Sequence, residues 1–268
     1  MKTLKSFFLL ATIFAAFAFI LVTATSCEPK PNEDPVVIDP DPDPDPDPDP
    51  DPDPDPVVGA IPDSIKNGSD FYIIFMDATS TAELGNKVIV PTMLRDYDVW
   101  PAGQTLSGGE PVGINAFGQP EGYITFTIND FEGWNGGGII AVLSQFEVVP
   151  DLSPIMDGDY YLHFAMKSPS SQAGAGNSCI LYSEGPDIAY YYGADAGNEN
   201  YVSNYPHNGE WQHFEIPVSE LMNKGYLWTG PLSADNDRRY LFGFQGIPST
   251  PGYEINLDAI FFYKKPAN

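Results

Sequence analysis

Histidines 163, 207 and 213 are the side chains of this 268-residue chain best suited to proton transfer or metal binding near neutral pH. None sits at zinc-site spacing, and there is no His-Glu-x-x-His, no Gly-x-Ser-x-Gly elbow and no phosphate-binding glycine loop. A glycosidase needs two carboxylates that reach the sugar together. No Glu-x-Asp-x-x-Glu run offers them on one strand. Those absences leave the chain without a familiar catalytic motif. A lyase built from His163, His213, a tyrosine and Lys167 is the enzymatic alternative.

The rings are the other chemically useful groups. Sugars present flat C–H faces that stack on aromatic rings, and hydroxyls that need paired donors and acceptors. Trp228 lies in the loop-like "KGYLWTGPLSADN", with polar neighbours and no periodic partner, so it is expected as a ligand platform. Tyr190, Tyr191 and Tyr192 precede the long polar segment "GADAGNENYVSNYPHNG", of the kind that rims a site. Trp134 meets three glycines, which allow close approach of a ligand or another backbone. Tyr161 and His163 share one face of a strand, and Trp211 and His213 share one face of another. Those two faces are expected to form a half-exposed, sugar-compatible sheet surface, with ordinary packing under a loop as the alternative. Trp100 and Trp211 read as structural.

The elements that must position these rings are strands. "FYIIFM", "GYITFTI", "DYYLHFAM", "WQHFEIPV", "YLFGFQG" and "INLDAIFFY" are rich in β-branched and aromatic residues. Clusters such as "SGGEPVG", "NAFGQPEG", "NGGG" and "GIPSTPG" separate them as turns. In residues 159–167, Tyr160, Leu162, Phe164 and Met166 form the core face. Phe214 and Ile216 do the same in the later strand. One short helix is predicted over Val218–Gly225, capped by Ser219 and stopped by Gly225. The fold class is all-β, an antiparallel β-sandwich of jelly-roll type spanning residues 57–268. That span carries 25 acidic against 9 basic residues. Such a charge excludes nucleic acid and anionic membrane surfaces as partners and suits a neutral ligand.

The N-terminus is different in kind. Lys2 and Lys5 precede an apolar run from Phe7 to Val22, interrupted only by Thr12. This is a secretory signal, short for a membrane span of about 20 residues. It ends in Ala24-Thr25-Ser26-Cys27, which resembles a bacterial lipobox. Residues 1–26 are then a lipoprotein signal peptide and Cys27 the acylated first residue. A retained anchor, or a cleaved signal with an incidental Cys27, are the alternatives. Residues 27–56 form an acidic linker ending in nine Asp-Pro pairs, Asp39 to Pro56. Each proline holds its preceding Asp extended, so the tract is a disordered polyproline rod of roughly 55 Å. With Cys27 acylated, Cys179 has no disulfide partner.

Lipobox, acidic linker and sandwich together resemble the surface glycan-binding lipoproteins and carbohydrate-binding modules of Bacteroidota polysaccharide-utilisation systems. "GEWQHFEIPVSEL", "EINLDAIFFY" and "GINAFGQPEGYITFTINDFEGWNGGG" carry the resemblance. It implies glycan capture at the outer membrane, facing the exterior, beside a glycan importer. It also implies a structural Ca²⁺ with Asp258 as one ligand, for which Asp77 after the first strand is the sequence-level partner. A structural or adhesive lipoprotein with a protein partner, and a jelly-roll glycan-degrading enzyme, are the alternatives. Radioactive palmitate is expected to label the wild type and not Cys27→Ala; equal label in both would remove the lipid anchor.

Overall fold

The computed structural model describes residues 59–100, 105–107, 113–128, 135–168, 176–192, 201–202, 208–247 and 253–266. The expectations for the signal, Cys27, the rod and Trp134 lie outside these residues. In chain order the elements are α1 (Asp63–Lys66), β1 (Ser69–Phe75), α2 (Ala78–Leu84), β2 (Val88–Val90), β3 (Asp96–Trp100), β4 (Thr105–Ser107) and β5 (Ile124–Ile128). There follow β6 (Asn135–Val142), β7 (Tyr160–Lys167), β8 (Gly176–Leu181), β9 (Ile188–Tyr192), β10 (Tyr201–Val202), β11 (Gln212–Pro217), α3 (Val218–Asn223), β12 (Arg238–Ile247) and β13 (Tyr253–Lys264).

The strands form two sheets, as the all-β sandwich reading requires. The first runs β11-β7-β13-β1-β2, with β5 also on β13 and β4 on β5; the second runs β10-β9-β8-β12-β6-β3. Pairing is antiparallel except for β1–β2 and β9–β10. The sheets face each other across one apolar core, in which Phe126 meets Phe244 at 5.9 Å and Phe164 meets Phe242 at 5.3 Å. Tyr160, Leu162, Phe164 and Met166 all enter this core, as the alternation of β7 predicts.

The last strand departs from strict alternation. Ile255 and Leu257 point into the core, and so do Ile260 and Phe262. A bulge between Asp258 and Phe261 makes this possible, with Ala259 at φ 50°. The extra residue changes phase, so both halves of a 12-residue strand bury apolar side chains inward. Phe261 and Tyr263 then face outward, into a second apolar layer. That layer is closed by α1, α2 and a tight strap of residues 113–121, through Ile61, Ile65, Leu84 and Phe117.

Two local expectations change. "NGGG" is not a turn but the start of β6, paired between β3 and β12. Gly137 faces the core, where a Cβ would stand 1.6 Å from Phe126 Cε1, so the glycine makes room for a ring. The helix α3 starts after Pro217 without a side-chain cap, and Ser219 is exposed; Gly225, at φ 96°, does end it. Gly137→Ala is expected to cost about 1–3 kcal/mol by overpacking. In a domain of this size each kcal/mol lowers Tm by about 2–4 °C. Gly230→Ala, where nothing lies within 4 Å, is the neutral comparison. Indistinguishable melts for the two variants would show that Phe126 does not pack against β6.

Candidate functional site

The structure redistributes the residues singled out by sequence. Trp228 is 2% exposed and lies in the core under Arg239, whose Cζ is 4.9 Å from the ring, so it offers no ring face to a ligand. Tyr190 is also buried, because β9 turns it inward, and its hydroxyl donates to Glu220 Oε1 at 2.9 Å. Both corrections have one cause: loop and strand rings near a sandwich end close its core before they meet solvent. The backbones of Tyr191 and Tyr192 continue β9, and their side chains lie outside the described residues. His163 does face away from the core, but the strap roofs it to 1% exposure. Tyr161 is half-buried beneath Lys265, whose Nζ is 4.0 Å from the ring. The His-and-aromatic surface expected on the first sheet is therefore a covered layer.

The face that carries half-buried tyrosines belongs to the second sheet. Alternation there puts Tyr97, Val99, Ile139, Phe242 and Phe244 in or against the core. Their neighbours Asp96, Asp98, Gly138, Tyr240 and Gly243 therefore occupy the outer face. Asp98, Gly138, Gly243, Ile180 and Ala189 fall in one row across the strands. Tyr182, directly after β8, lies over this row: a Cβ on Gly243 would be 2.9 Å from its Cε2 and 3.1 Å from its hydroxyl. Its ring packs against Tyr240 at 5.2 Å and 44°. Tyr240 donates to Asp98 Oδ2, and Arg238 donates to Asp96 Oδ2 at 2.5 Å. Burial, then neighbouring Asp187, Tyr240 and Asp98, push the Tyr182 phenol up to about 12. Burial and the bond to Asp98 do the same to Tyr240. Both rings stay neutral donors at physiological pH. The Asp96 carboxyl is held below the usual carboxylate range by the Tyr97 N–H and by Arg238. Sequence reasoning missed this group. Its only signal was Asp-x-Asp in "DYDVW" and Arg-x-Tyr in "RRYLF", which alternate like any strand.

The two carboxylates named for calcium do come to one place. Asp77 caps α2 by accepting from the Ser80 N–H at 2.7 Å, and accepts from Asn115 Nδ2 at 2.9 Å. Asp258 Oδ2 accepts from the Ala116 N–H at 2.9 Å. Asn115 Oδ1 is taken by the Phe117 and Gln119 N–H groups, which turns the amide's donor end toward Asp77. Thus the strap inserts N–H groups where a calcium ion would insert charge. Calcium takes six to eight oxygens, and among the described residues no three His, Cys, Asp or Glu side chains converge. Here Asp258 Oδ1 and Ser80 Oγ are buried without a hydrogen-bond partner. The residues present do not fit a calcium cage.

No family model and no curated protein matches the chain. Solved structures do. The family 30 carbohydrate-binding module of cellulosomal cellulase Cel9D-Cel44B of Clostridium thermocellum is 17% identical, covering 63% of this chain and 87% of that one at TM-score 0.36. TmCBM61, in complex with β-1,4-galactotriose, is 11% identical, covering 61% and 90% at TM-score 0.30. An exo-β-agarase is 11% identical, covering 67% of this chain but 24% of its own length at TM-score 0.39. The fold rests on the chain's own two sheets, and the site on its own residues.

Burial raises the Asp258 carboxyl to about 7, Asp77 adds to the rise, and the Ala116 and Ala259 N–H groups and Lys167 oppose it. The folded value lies above that of a free aspartate, so this group destabilises the fold as pH rises toward 7 and ceases to do so as pH falls toward 4. Asp258→Asn is expected to melt above the wild type at about pH 8 and level with it near pH 4. Millimolar calcium is expected to leave both melts unmoved. A calcium-dependent rise in the wild type alone would make Asp258 Oδ1 a ligand.

Proposed function

We propose that this chain is a non-catalytic module that holds a neutral polysaccharide or oligosaccharide against the Tyr182–Tyr240 face. One observation carries the reading: Tyr182 lies across the bare backbone at Gly243, beside Tyr240, with Asp98, Asp96 and Arg238 at the margin. Adjacent rings offer stacking surface, and the bordering carboxylates, guanidinium and phenols offer directional bonds to hydroxyls. The acidic balance of the domain favours a neutral ligand over a polyanion. On this reading the acylated Cys27 fixes the protein in the outer membrane, the Asp-Pro rod carries the module outward, and captured glycan passes to an importer.

A second reading starts from Asp96 and Asp98, two residues apart on β3 and on one face. A glycosidase built on them would need one neutral acid beside one ionised partner. Asp96 is held ionised by Arg238 and the Tyr97 N–H, and Asp98 already accepts from Tyr240. Those ties favour binding over cleavage.

Affinity electrophoresis on a panel of neutral and anionic glycans tests the proposal. A neutral glycan is expected to retard the wild type without releasing product. Tyr182→Ala and Tyr240→Ala should each weaken retention by about 1–2 kcal/mol, roughly tenfold. Gly243→Ala, whose Cβ displaces the Tyr182 ring, should lie between them and the wild type. Unchanged retention in all three would move the site off this face. New reducing ends would restore the enzyme, and no retardation by any glycan would favour a protein partner.

A further inference from the structure

The strap of residues 113–121 is tied down at few points. Ala116 donates to Asp258, Asn115 to Asp77, and Trp211 Nε1 donates to the Ile114 carbonyl at 2.9 Å. Gly59 donates to the Gly118 carbonyl at 3.2 Å, and Gln119 returns a bond to Gly59. Phe117 is the strap's apolar foot. Its ring stacks on His163 at 6.1 Å and 22°, and on His213 at 5.9 Å and 24°. Phe261 stacks on the other side of His163 at 4.7 Å and 16°. His163 is thus enclosed between two phenylalanines, while His213, on edge strand β11, remains exposed.

The hydrogen bonds of this pair fix its protons. His163 Nδ1 lies 2.7 Å from the Ala259 carbonyl, which can only accept, so Nδ1 carries hydrogen. In a neutral His163, Nε2 is then a bare acceptor. It faces His213 Nδ1 at 3.1 Å, so His213 Nδ1 donates. A metal does not fit between them. Two Zn–N bonds of about 2.0–2.1 Å laid end to end need about 4 Å, and the rings face nitrogen to nitrogen across 3.1 Å, with centroids only 5.3 Å apart. The neutral pair thus keeps one proton between the rings under an apolar roof, while the Ala116 carbonyl beside His213 can only accept.

We propose that the strap is an acid-released latch: the neutral His163–His213 pair under Phe117 holds it shut, and protonation of the pair lifts it from the outer face of the first sheet. A second proton on His163 would put N–H on both ring nitrogens, turning Nε2 from acceptor to donor against an N–H already aimed at it. Burial lowers His163 to about 4; the Ala259 carbonyl and Glu215 oppose this, while His213 and Lys265 add to it. Burial also lowers His213, against the Ala116 carbonyl and Glu215. A lifted strap returns His163 to water, where imidazole titrates near 6.5. Through His163, falling pH favours opening between about 6.5 and 4, while Asp258 favours closure over the same window.

The other charges facing the pair do not imitate this. Glu215, from β11, is held by Lys265 at 2.7 Å and by Tyr263, and stays ionised, its carboxyl lying below the usual range. Asp258, from β13, and Asp77, before α2, are both raised by burial in the closed state, so acid favours closure through them. Glu121, at the strap's end, is held below the usual carboxylate range by its bonds to Thr79. Asp258 offsets the His163 proton over this window, so the histidine effect stands alone in Asp258→Asn. Opening would free Gly59, next to the linker junction, and uncover Ala165, Ala259 and Phe261.

Hydrogen exchange of the full chain, corrected for intrinsic rates, reads the latch at the Ala116 amide. In Asp258→Asn, where the opposing carboxyl is gone, its protection is expected to fall by up to about tenfold per pH unit as His163 is protonated, while β12 and β13 keep theirs. His163→Phe preserves the stack without a titrating group and should flatten that profile. His213→Gln, which needs no core repacking, should shallow it. Imidazole resonances of the wild type should place His163 far below a free histidine. In the Asp258→Asn background, a pH-independent Ala116 amide, the same profile after His163→Phe or His213→Gln, or a His163 titrating near 6.5 would each overturn the latch.

Discussion

The bulge at Asp258–Ala259 is the constraint on which both sides of the first sheet depend. Ala259 occupies the left-handed region at φ 50°, where a residue with a Cβ is disfavoured by about 1–2 kcal/mol. That conformation persists because it solves two problems together. Inward, it lets Ile260 and Phe262 rejoin the core that Ile255 and Leu257 began. Outward, it aims the Asp258 carboxylate at the Ala116 N–H and the Ala259 carbonyl at His163. A regular strand would leave the strap without either anchor and would turn half of β13's apolar residues out of the sandwich.

The two sheets then take different tasks. The outer face of the first is roofed by α1, α2 and the strap, and Phe71, Ile73 and Phe261 are wholly buried there. What looked like a ligand surface is a second core. On the second sheet the outer face is built from small residues under half-buried tyrosines. The glycines of β6 and β12 serve both faces: Gly137 admits Phe126 from within, and Gly243 admits Tyr182 from without. Close approach of rings to backbone from both sides makes this part of the sheet thin enough to carry a platform directly on the core.

The sequence disclosed directions better than surroundings. Period-two alternation assigned the faces of β7 and β11, because side-chain direction in a strand is local. It could not say that the outer face of β7 is covered, since Phe117 arrives from 46 positions away in the chain, between segments read as turns. Trp228 in a polar loop looked exposed because loop polarity is an average, whereas burial is decided by one ring fitting the sandwich end. The bulge left no mark either: "INLDAIFFY" alternates well enough to pass as a regular strand. Asp77 and Asp258 were correctly brought together by the pairing of first and last strands. The donors that the strap inserts between them were invisible to that argument.

Asp258 and His163 explain why the strap is a latch and not a permanent cover. Each is buried in the form that carries no charge, and each resists charging from opposite ends of the pH scale. Burial raises the acid to about 7 and lowers the base to about 4. Between those limits both groups are neutral in the closed state, and the layer behaves as apolar packing stitched by hydrogen bonds. Above them a carboxylate, and below them an imidazolium, sits beneath Phe117 or its neighbours with no ion pair of its own. Neutral titratable groups thus tie the closed layer to pH from both sides, with burial as the largest cause of each shift.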